Sequence, residues 1–238
     1  MILAGLVAGG TGTRMKQNMP KQFLTVGGEP ILVRTLRVFL NSEQVDGILI
    51  GVPADYVTYT EELVNGCIAS ENSAKRVVVT AGGNSRNETL RCLMEASVRE
   101  FGATDSDIFL THDAVRPFVT QQMIAANVTA MESAQAASTA IPACDTILLS
   151  MEGRTVDSVP KRSMAYQAQT PQTARFGIFR SILAGLSEGE QSAATDLCGL
   201  CERKGIKAVL VPGDASNIKI TGPLDLALAE AILKEQQG

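Results

Sequence analysis

A glycine-rich stretch near the N-terminus, followed by two cations, is the part of the sequence best suited to bind an anion. Three of the four residues from Gly9 to Gly12 are glycine, and an apolar run over residues 2–8 precedes them. Such a run breaking into glycines is typical of a buried strand that ends in a phosphate-binding loop, because glycine lets backbone N–H groups approach an anion closely. Arg14 and Lys21 supply positive charge that suits a triphosphate. The spacing matches neither the dinucleotide fingerprint nor the P-loop, and a tight structural turn is the alternative.

A second glycine pair, Gly82 and Gly83, lies between a strand-like run and a helical pattern. Ligands bind at the carboxyl ends of strands in open α/β sheets, and a helix start adds free N–H groups and the positive end of the helix dipole. Arg86 and Thr89 follow within that turn. The position suits a ligand, but an ordinary strand–helix turn capped by Asn87 would show the same sequence pattern.

An acidic residue, Asp113, comes directly after the strand-like run at residues 108–111. Mg²⁺ is held by one or two carboxylates together with phosphate oxygens, so a carboxylate at a strand end is well placed to bind it. His112 is the single histidine of the chain, which excludes a zinc site built on several histidines. We interpret His112 as structural.

The elements that position these residues alternate between strand-like and helical patterns. This alternation predicts βαβ units and a mostly parallel sheet flanked by helices, in one α/β domain over residues 1–238. We expect Thr170 to open a helix. A last helix, starting near residues 221–223, should direct four residues to the core: Leu224, Ala227, Leu228 and Leu233.

Residues 138–169 interrupt the alternation with short strand-like pieces and a turn at Gly153. A hairpin of this kind is marginal in water without a partner. The segment is also long for a connector between two elements. It therefore predicts an arm that protrudes from the domain.

The composition narrows the class of protein further. The net charge is −4 without a basic run, which argues against broad nucleic-acid binding. The apolar run from Leu3 to Ala8 is too short to span a membrane. We expect a cytoplasmic enzyme.

Cys198 and Cys201 form a C-x-x-C, but no second pair or histidine cluster completes a zinc site, so we interpret them as buried small residues.

Taken together, these motifs resemble the polyol-phosphate cytidylyltransferase family. Its members transfer CMP from CTP to a polyol phosphate and release pyrophosphate. Two well-known members act on 2-C-methyl-D-erythritol 4-phosphate, in isoprenoid synthesis, and on ribitol 5-phosphate, in teichoic-acid synthesis. The resemblance runs through the whole chain and is carried, in order, by residues 8–15, 20–23, 82–89, 112–117, 170–172, 195–196 and 217–221.

The resemblance implies a Rossmann-like nucleotidyltransferase fold and a role for each matched residue. Catalytic charges would come from Arg14, Lys21 and Lys219, and Asp113 would hold Mg²⁺. The nucleotide would contact Leu6, Ala8, Gly9, Gly10, Gly12, Thr13, Gly82, Gly83, Arg86 and Thr89. The polyol phosphate would contact Arg116, Thr146, Arg162 and Thr170.

The resemblance also implies a homodimer, in which the arm carrying Thr146 and Arg162 reaches the substrate phosphate of the neighbouring subunit. The sequences around Val115 and Gln169 look closer to the ribitol-phosphate members, so ribitol 5-phosphate is the favoured substrate and methylerythritol 4-phosphate the alternative. A binding module that keeps the fold without turnover is a further alternative, and the presence of Lys21, Asp113 and Lys219 argues against it.

Overall fold

The computed structural model describes residues 1–10, 19–186 and 196–237. Three predicted site residues, Gly12, Thr13 and Arg14, lie outside the described residues. The strands are β1 Ile2–Val7, β2 Thr25–Val26, β3 Glu29–Pro30, β4 Gly47–Val52, β5 Arg76–Ala81, β6 Ile108–Asp113, β7 Ala136–Pro142, β8 Tyr166–Arg175 and β9 Val209–Pro212. The helices are α1 Ile31–Leu40, α2 Val57–Glu71, α3 Arg86–Phe101, α4 Gln121–Ala130, α5 Phe176–Ala184, α6 Leu197–Glu202 and α7 Pro223–Gln237.

Seven of these strands form one twisted sheet in the order β5-β4-β1-β6-β8-β7-β9, while β2 and β3 pair separately. The pairs β5–β4, β4–β1, β1–β6 and β7–β9 are parallel, and β8 runs antiparallel to both β6 and β7. The predicted fold class, a mostly parallel α/β sheet flanked by helices, is confirmed. Parallel order brings the ends of β1, β5 and β6 to the same edge of the sheet, where the predicted glycines and Asp113 lie.

The strands of the sheet centre are apolar on both faces because helices cover both faces. Every residue of β4 is buried. Alternate residues of β1 enter different clusters: Ala4 and Leu6 pack with α1, while Leu3 packs with α3 and with Phe109. This double burial fixes the register of β1, so the position of the glycines that follow it is set by the core.

Helix α3 starts against the predicted second glycine loop. Its N-cap is Ser85, whose hydroxyl accepts a hydrogen bond from the N–H of Glu88, while the Glu88 carboxylate accepts from Asn84 N. The alternative, a turn capped by Asn87, is therefore wrong, and Asn87 is buried instead. The cap fixes where the first turn of α3 begins, and with it the direction of Arg86 and Thr89.

Two sequence-based expectations about other elements are wrong. Thr170 opens no helix: it lies within β8, which pairs with both β6 and β7, and the helix starts at Phe176. Leu224, Ala227 and Leu228 do not face the core: all three are exposed, the two leucines by 81% and 47%. Leu233 is buried as expected, together with Ala229. Helix α7 has apolar residues on two faces, and helical periodicity alone did not select the face that packs.

The predicted arm, between β7 and β8, contains no assigned strand. Of the strand-like pieces expected there, one isolated antiparallel bridge between Leu149 and Ser158 is present, and Gly153 turns with φ +72°. Several of its apolar side chains are exposed, namely Leu148, Leu149, Met151, Val156, Val159 and Met164. No helix in the described part of the chain combines the length and apolar character needed to cross a membrane.

Candidate active site

A cavity of about 260 Å³ opens at the carboxyl edge of the sheet. It brings together many of the predicted residues, which come from the glycine loop, the start of α3, the end of β6 and the segment before α7: Ala8, Gly9, Gly10, Lys21, Arg86, Thr89, Asp113 and Lys219. A second cavity of about 200 Å³ shares Arg86, Asp113 and Lys219 with the first. The two cavities therefore adjoin one cluster of charges.

Asp113 is the centre of that cluster. Lys219 Nζ lies 2.8 Å from Asp113 Oδ2, while Arg86 Nε and Arg116 Nε each lie 3.6 Å from a carboxylate oxygen. Burial alone would raise the pKa of Asp113, but the charges of Arg86 and Lys219, with the Lys219 hydrogen bond, hold it well below its usual range. Asp113 is therefore ionised at neutral pH.

His112 supports the loop behind Asp113 from inside the protein. Its side chain is fully buried, and Nε2 lies 3.0 Å from the carbonyl oxygen of Arg116. Because a carbonyl only accepts, Nε2 carries the proton and donates it, which leaves Nδ1 to accept from Thr170 Oγ1 at 2.9 Å. Burial lowers the pKa of His112 to about 4. This neutral, buried state agrees with the structural role we assigned to it.

Thr170 is joined to the same loop by its hydroxyl. Thr170 Oγ1 accepts a hydrogen bond from Asp113 N and donates to His112 Nδ1, although the residue also lines the second cavity. Its predicted contact with substrate stays a prediction. What the structure shows is a link between β8 and the end of β6.

Arg116 extends from the loop after β6 into the second cavity. Its Nη1 donates to the carbonyl oxygen of Asn217 at 2.7 Å. Burial lowers the pKa of Arg116, and the charge of Asp113 opposes that change. A guanidinium stays protonated in proteins, so the cavity receives a fixed positive charge.

Thr89 sits where three glycines leave room for it. A Cβ atom added at Gly9 or Gly82 would lie 2.7 or 2.8 Å from Thr89 Oγ1, and one at Gly51 would lie 2.6 Å from its Cγ2. The hydroxyl donates to Ser85 O at 2.9 Å and accepts from Gly83 N at 3.2 Å. The glycines thus allow α3 to approach the strand ends closely, which brings Arg86 into the cavity.

Lys21 enters the first cavity from a short 3₁₀ turn, Lys21–Phe23, that follows Pro20. The neighbouring Gln22 is buried, and its Nε2 donates to the carbonyl oxygen of Ala8 at 2.5 Å. This bond ties the Lys21 turn to the end of β1. Two parts of the chain that the sequence separates are thereby held on one side of the cavity.

The remaining predicted residues lie elsewhere. Leu6 is buried in the core, and Gly82 and Gly83 support Thr89 without lining either cavity. Thr146 and Arg162 are exposed in the arm and line neither cavity. A group of polar residues lines or supports the cavities although the sequence analysis gave them no role, even where they lie in the matched motifs: Gln22, Asn84, Ser85, Gln169, Gln172, Asp196 and Asn217.

The fold and the cavity define an α/β nucleotidyltransferase-type protein, with glycines, lysines and a buried carboxylate at the strand ends. Residues 2–235 match the family model described as IspD: 2-C-methyl-D-erythritol 4-phosphate cytidylyltransferase. The chain belongs to this family.

Two curated relatives align over their full length. The chain is 40% identical to a ribitol-5-phosphate cytidylyltransferase of Lactiplantibacillus plantarum, over 99% of this chain and 100% of that protein. It is 39% identical to a protein of the same name from Streptococcus pneumoniae, again over 99% of this chain and 100% of that protein.

Solved structures show the same fold. A 4-diphosphocytidyl-2C-methyl-D-erythritol synthase from Anaerococcus prevotii superposes with a TM-score of 0.78 at 26% identity, covering 98% of each chain. The 2-C-methyl-D-erythritol 4-phosphate cytidylyltransferase from Thermus thermophilus gives a TM-score of 0.71 at 28% identity, covering 98% of this chain and 100% of that chain.

Proposed function

We propose that this protein transfers CMP from CTP to ribitol 5-phosphate, giving CDP-ribitol and pyrophosphate. The observation that carries the proposal is the cluster of Arg86, Arg116 and Lys219 around Asp113, shared by two adjoining cavities. One cavity has the glycine loop and Lys21 for a triphosphate, and the other has polar groups for a second anionic substrate. The names of the relatives at about 40% identity favour ribitol 5-phosphate.

Methylerythritol 4-phosphate is the second candidate substrate. The family model and the solved neighbours carry that name, and both cavities would accept either phosphate on charge alone. The solved neighbours are less similar in sequence than the ribitol-named relatives, which places this candidate second.

In the proposed reaction, a phosphate oxygen of the polyol phosphate attacks the α-phosphorus of CTP in line, and pyrophosphate leaves. Since the attacking phosphate is already ionised near neutral pH, the protein needs no strong base, and catalysis depends on positioning and on compensating charge. Backbone N–H groups of Gly9 and Gly10 would hold the distal phosphates. Lys21 and Lys219 would stabilise the charge that grows on the α-phosphoryl and leaving-group oxygens.

The cofactor we propose is Mg²⁺. Among the described residues no group of three histidine, cysteine or acidic side chains could form an all-protein metal cage. One carboxylate, Asp113, together with triphosphate oxygens fits the way Mg²⁺ is usually bound. When bound, the ion would neutralise phosphate charge, and the Lys219–Asp113 contact would loosen to admit it.

The partner we propose is a second copy of the chain. The arm exposes a group of apolar side chains, with Met151 at 93% and Met164 at 74%, and its backbone forms one isolated antiparallel bridge. Exposed apolar side chains and unpaired strand edges are usually covered in stable proteins. A two-fold homodimer would cover both and would bring Thr146 and Arg162 to the partner's site.

Since the reaction consumes CTP, we propose a cytoplasmic location.

The deciding experiment is pyrophosphate release with purified protein, CTP, Mg²⁺ and each polyol phosphate in turn. We expect a higher kcat/KM with ribitol 5-phosphate than with methylerythritol 4-phosphate, and a strong preference for CTP over ATP, GTP and UTP. A reversed polyol preference would exchange the two candidates. Binding of CTP without turnover on either polyol would instead leave a nucleotide-binding module.

A further inference from the structure

Asn217 lies at the meeting point of three segments that form the site. The residue is fully buried. Its Nδ2 donates to the carbonyl oxygen of Thr170 at 2.9 Å and to Gln169 Oε1 at 3.2 Å, both on β8. Its own carbonyl oxygen accepts the 2.7 Å hydrogen bond from Arg116 Nη1, which comes from the loop after β6. Asn217 therefore joins β8, that loop and the segment between β9 and α7.

This junction flanks Lys219 on one side. On the other side, Ile220 N donates to the carbonyl oxygen of Val115 at 2.9 Å. The backbone around Lys219 is thus held to the loop after β6 at two points, by Asn217 O and Ile220 N, while Lys219 Nζ reaches Asp113 of the same loop at 2.8 Å. The position of the lysine follows from these contacts, because no helix or strand contains it.

Arg116 depends on the same residue. Its Nε is buried without a hydrogen-bond partner and lies 3.6 Å from Asp113 Oδ2, so the 2.7 Å bond to Asn217 O is its firmest contact. If that carbonyl shifts, the guanidinium is free to move onto the carboxylate, since opposite charges attract strongly in a buried site. Asn217 keeps Arg116 pointing toward the second cavity and away from a closer ion pair.

Burying the side-chain amide of Asn217 costs free energy. Its Oδ1 has no partner in the described part of the chain, and an unpaired buried acceptor costs free energy. Gln169 supports the same junction: its Nε2 donates to Asp214 O at 2.8 Å, and Asp214 O also accepts from Asn217 N. The two amide side chains together fix the turn from Asp214 to Asn217 against β8.

We propose that Asn217 is a positioning residue, which sets Arg116 and Lys219 relative to Asp113 and so aligns the polyol phosphate for attack. The inference rests on the proposed transfer to a polyol phosphate and deepens it. It places the larger effect on the polyol side of the site, because Arg116 lines only the second cavity, whereas Lys219 lines both.

The test compares two buried asparagines. Asn217→Ala removes the two side-chain bonds to Thr170 O and Gln169 Oε1 and keeps the backbone carbonyl that Arg116 contacts, so it tests whether the side chain holds that carbonyl in place. Asn127→Ala is the matched control: Asn127 is also fully buried, and its Nδ2 donates to Met123 O at 2.9 Å and Thr139 Oγ1 at 2.8 Å, away from both cavities. Both variants should lower Tm. Only Asn217→Ala should lower kcat/KM for the polyol phosphate, by roughly 10- to 100-fold, with a lower kcat, a higher polyol KM and little change in the KM for CTP.

A second variant covers the case in which Asn217→Ala does not fold. Gln169→Leu removes one of the two acceptors of the Asn217 amide and keeps Thr170 O, so it should give the same kinetic pattern with a smaller effect. The inference is overturned if the folded variants behave like Asn127→Ala, or if the KM for CTP rises as much as the polyol KM.

Turnover by the wild-type protein distinguishes failure of this inference from failure of the proposed function. If wild-type protein turns over no polyol phosphate, the proposed function fails, and crystal structures of Asn217→Ala and Asn127→Ala then decide the inference. A shift of the Arg116 guanidinium toward Asp113 in the first variant alone would support it. An unmoved Arg116 and Lys219 in both variants would overturn it.

Discussion

Three cationic side chains surround one buried carboxylate, and the resulting excess of positive charge suits an anionic ligand. Arg86, Arg116 and Lys219 contact Asp113, so the cluster keeps a net positive charge after Asp113 is neutralised. The chain as a whole carries a net charge of −4. A local excess of positive charge on an acidic protein suits a small phosphorylated substrate better than a long polyanion.

Lys21→Ala tests the charge that the 3₁₀ turn after Pro20 contributes to the first cavity. We expect a fall in kcat that exceeds the rise in the KM for CTP, because the lysine is proposed to act mainly on the transition state. Loss of one preorganised charge contact costs about 10²–10³ in rate. Steady-state kinetics with varied CTP measure both constants, and an unchanged kcat would make Lys21 a bystander.

His112 makes a prediction about stability and pH. Its pKa is about 4 in the fold and 6.5 when exposed, so the unfolded chain binds more protons between these values and stability falls as pH is lowered through this window. From pH 6.5 to 4.5 the loss should be about 2 kcal/mol from this residue.

The measurement is urea unfolding in EDTA at pH 6.5 and 4.5, for wild type and His112→Gln. The chain has one histidine, so the difference between the two slopes reports His112 alone. The variant should be less stable at pH 6.5 and should lose less stability on acidification. Equal losses would show that His112 is protonated within the fold.

At the scale of elements, the close approach of α3 to the strand ends depends on glycine. Gly51 lies in the fully buried β4, and a Cβ there would lie 2.6 Å from Thr89 Cγ2. Gly51→Ala should therefore destabilise the fold by about 1–3 kcal/mol through overpacking and should raise the KM for CTP, because Thr89 and Arg86 move with the helix start.

Gly66→Ala is the matched control for that substitution. Gly66 lies within α2, and a Cβ there meets nothing within 4 Å. Alanine is a better helix former, so this variant should gain roughly 0.5–1 kcal/mol and keep the KM for CTP. Urea unfolding and CTP kinetics compare the two variants, and equal effects from both would contradict the packing argument.

The sequence predicts an element well when interactions between residues close in the sequence determine it, and poorly when distant strands do. Apolar runs ending in glycine located β1 and the end of β5, because periodicity and glycine act over a few residues. Local pattern predicts a helix start at Thr170–Gln172, but pairing with β6 and β7 makes this stretch part of a strand. Its partners lie far away in the sequence, and local propensity does not contain that information.

The same reasoning applies to the site. Charges beside glycines and strand ends single out Lys21 and Asp113, and the family resemblance adds Lys219; the structure brings all three to one cavity. Asn217 was not assigned a role, because its importance comes from contacts with Thr170 and Arg116, separated from it by 47 and 101 residues. A residue that positions other side chains has no characteristic sequence motif, so the sequence alone does not identify it.

For the whole molecule, the open question is whether one chain contains a complete site. Arg162 and Thr146 are exposed in an arm that lines neither cavity of its own subunit. If the arm crosses to a second copy, Arg162 of one subunit completes the site that holds Lys21 of the other. Each chain then contributes groups to both sites of a homodimer.

Complementation between two inactive variants tests this arrangement. One chain carries Lys21→Ala and keeps Arg162, and the other carries Arg162→Ala and keeps Lys21. In a heterodimer with crossed arms, one site receives intact Lys21 and intact Arg162 from different chains, while the other site lacks both. Differently tagged chains, co-expressed and purified in tandem, should therefore release pyrophosphate well above either parental homodimer. Heterodimers as inactive as the parents would show that Arg162 does not act across the interface.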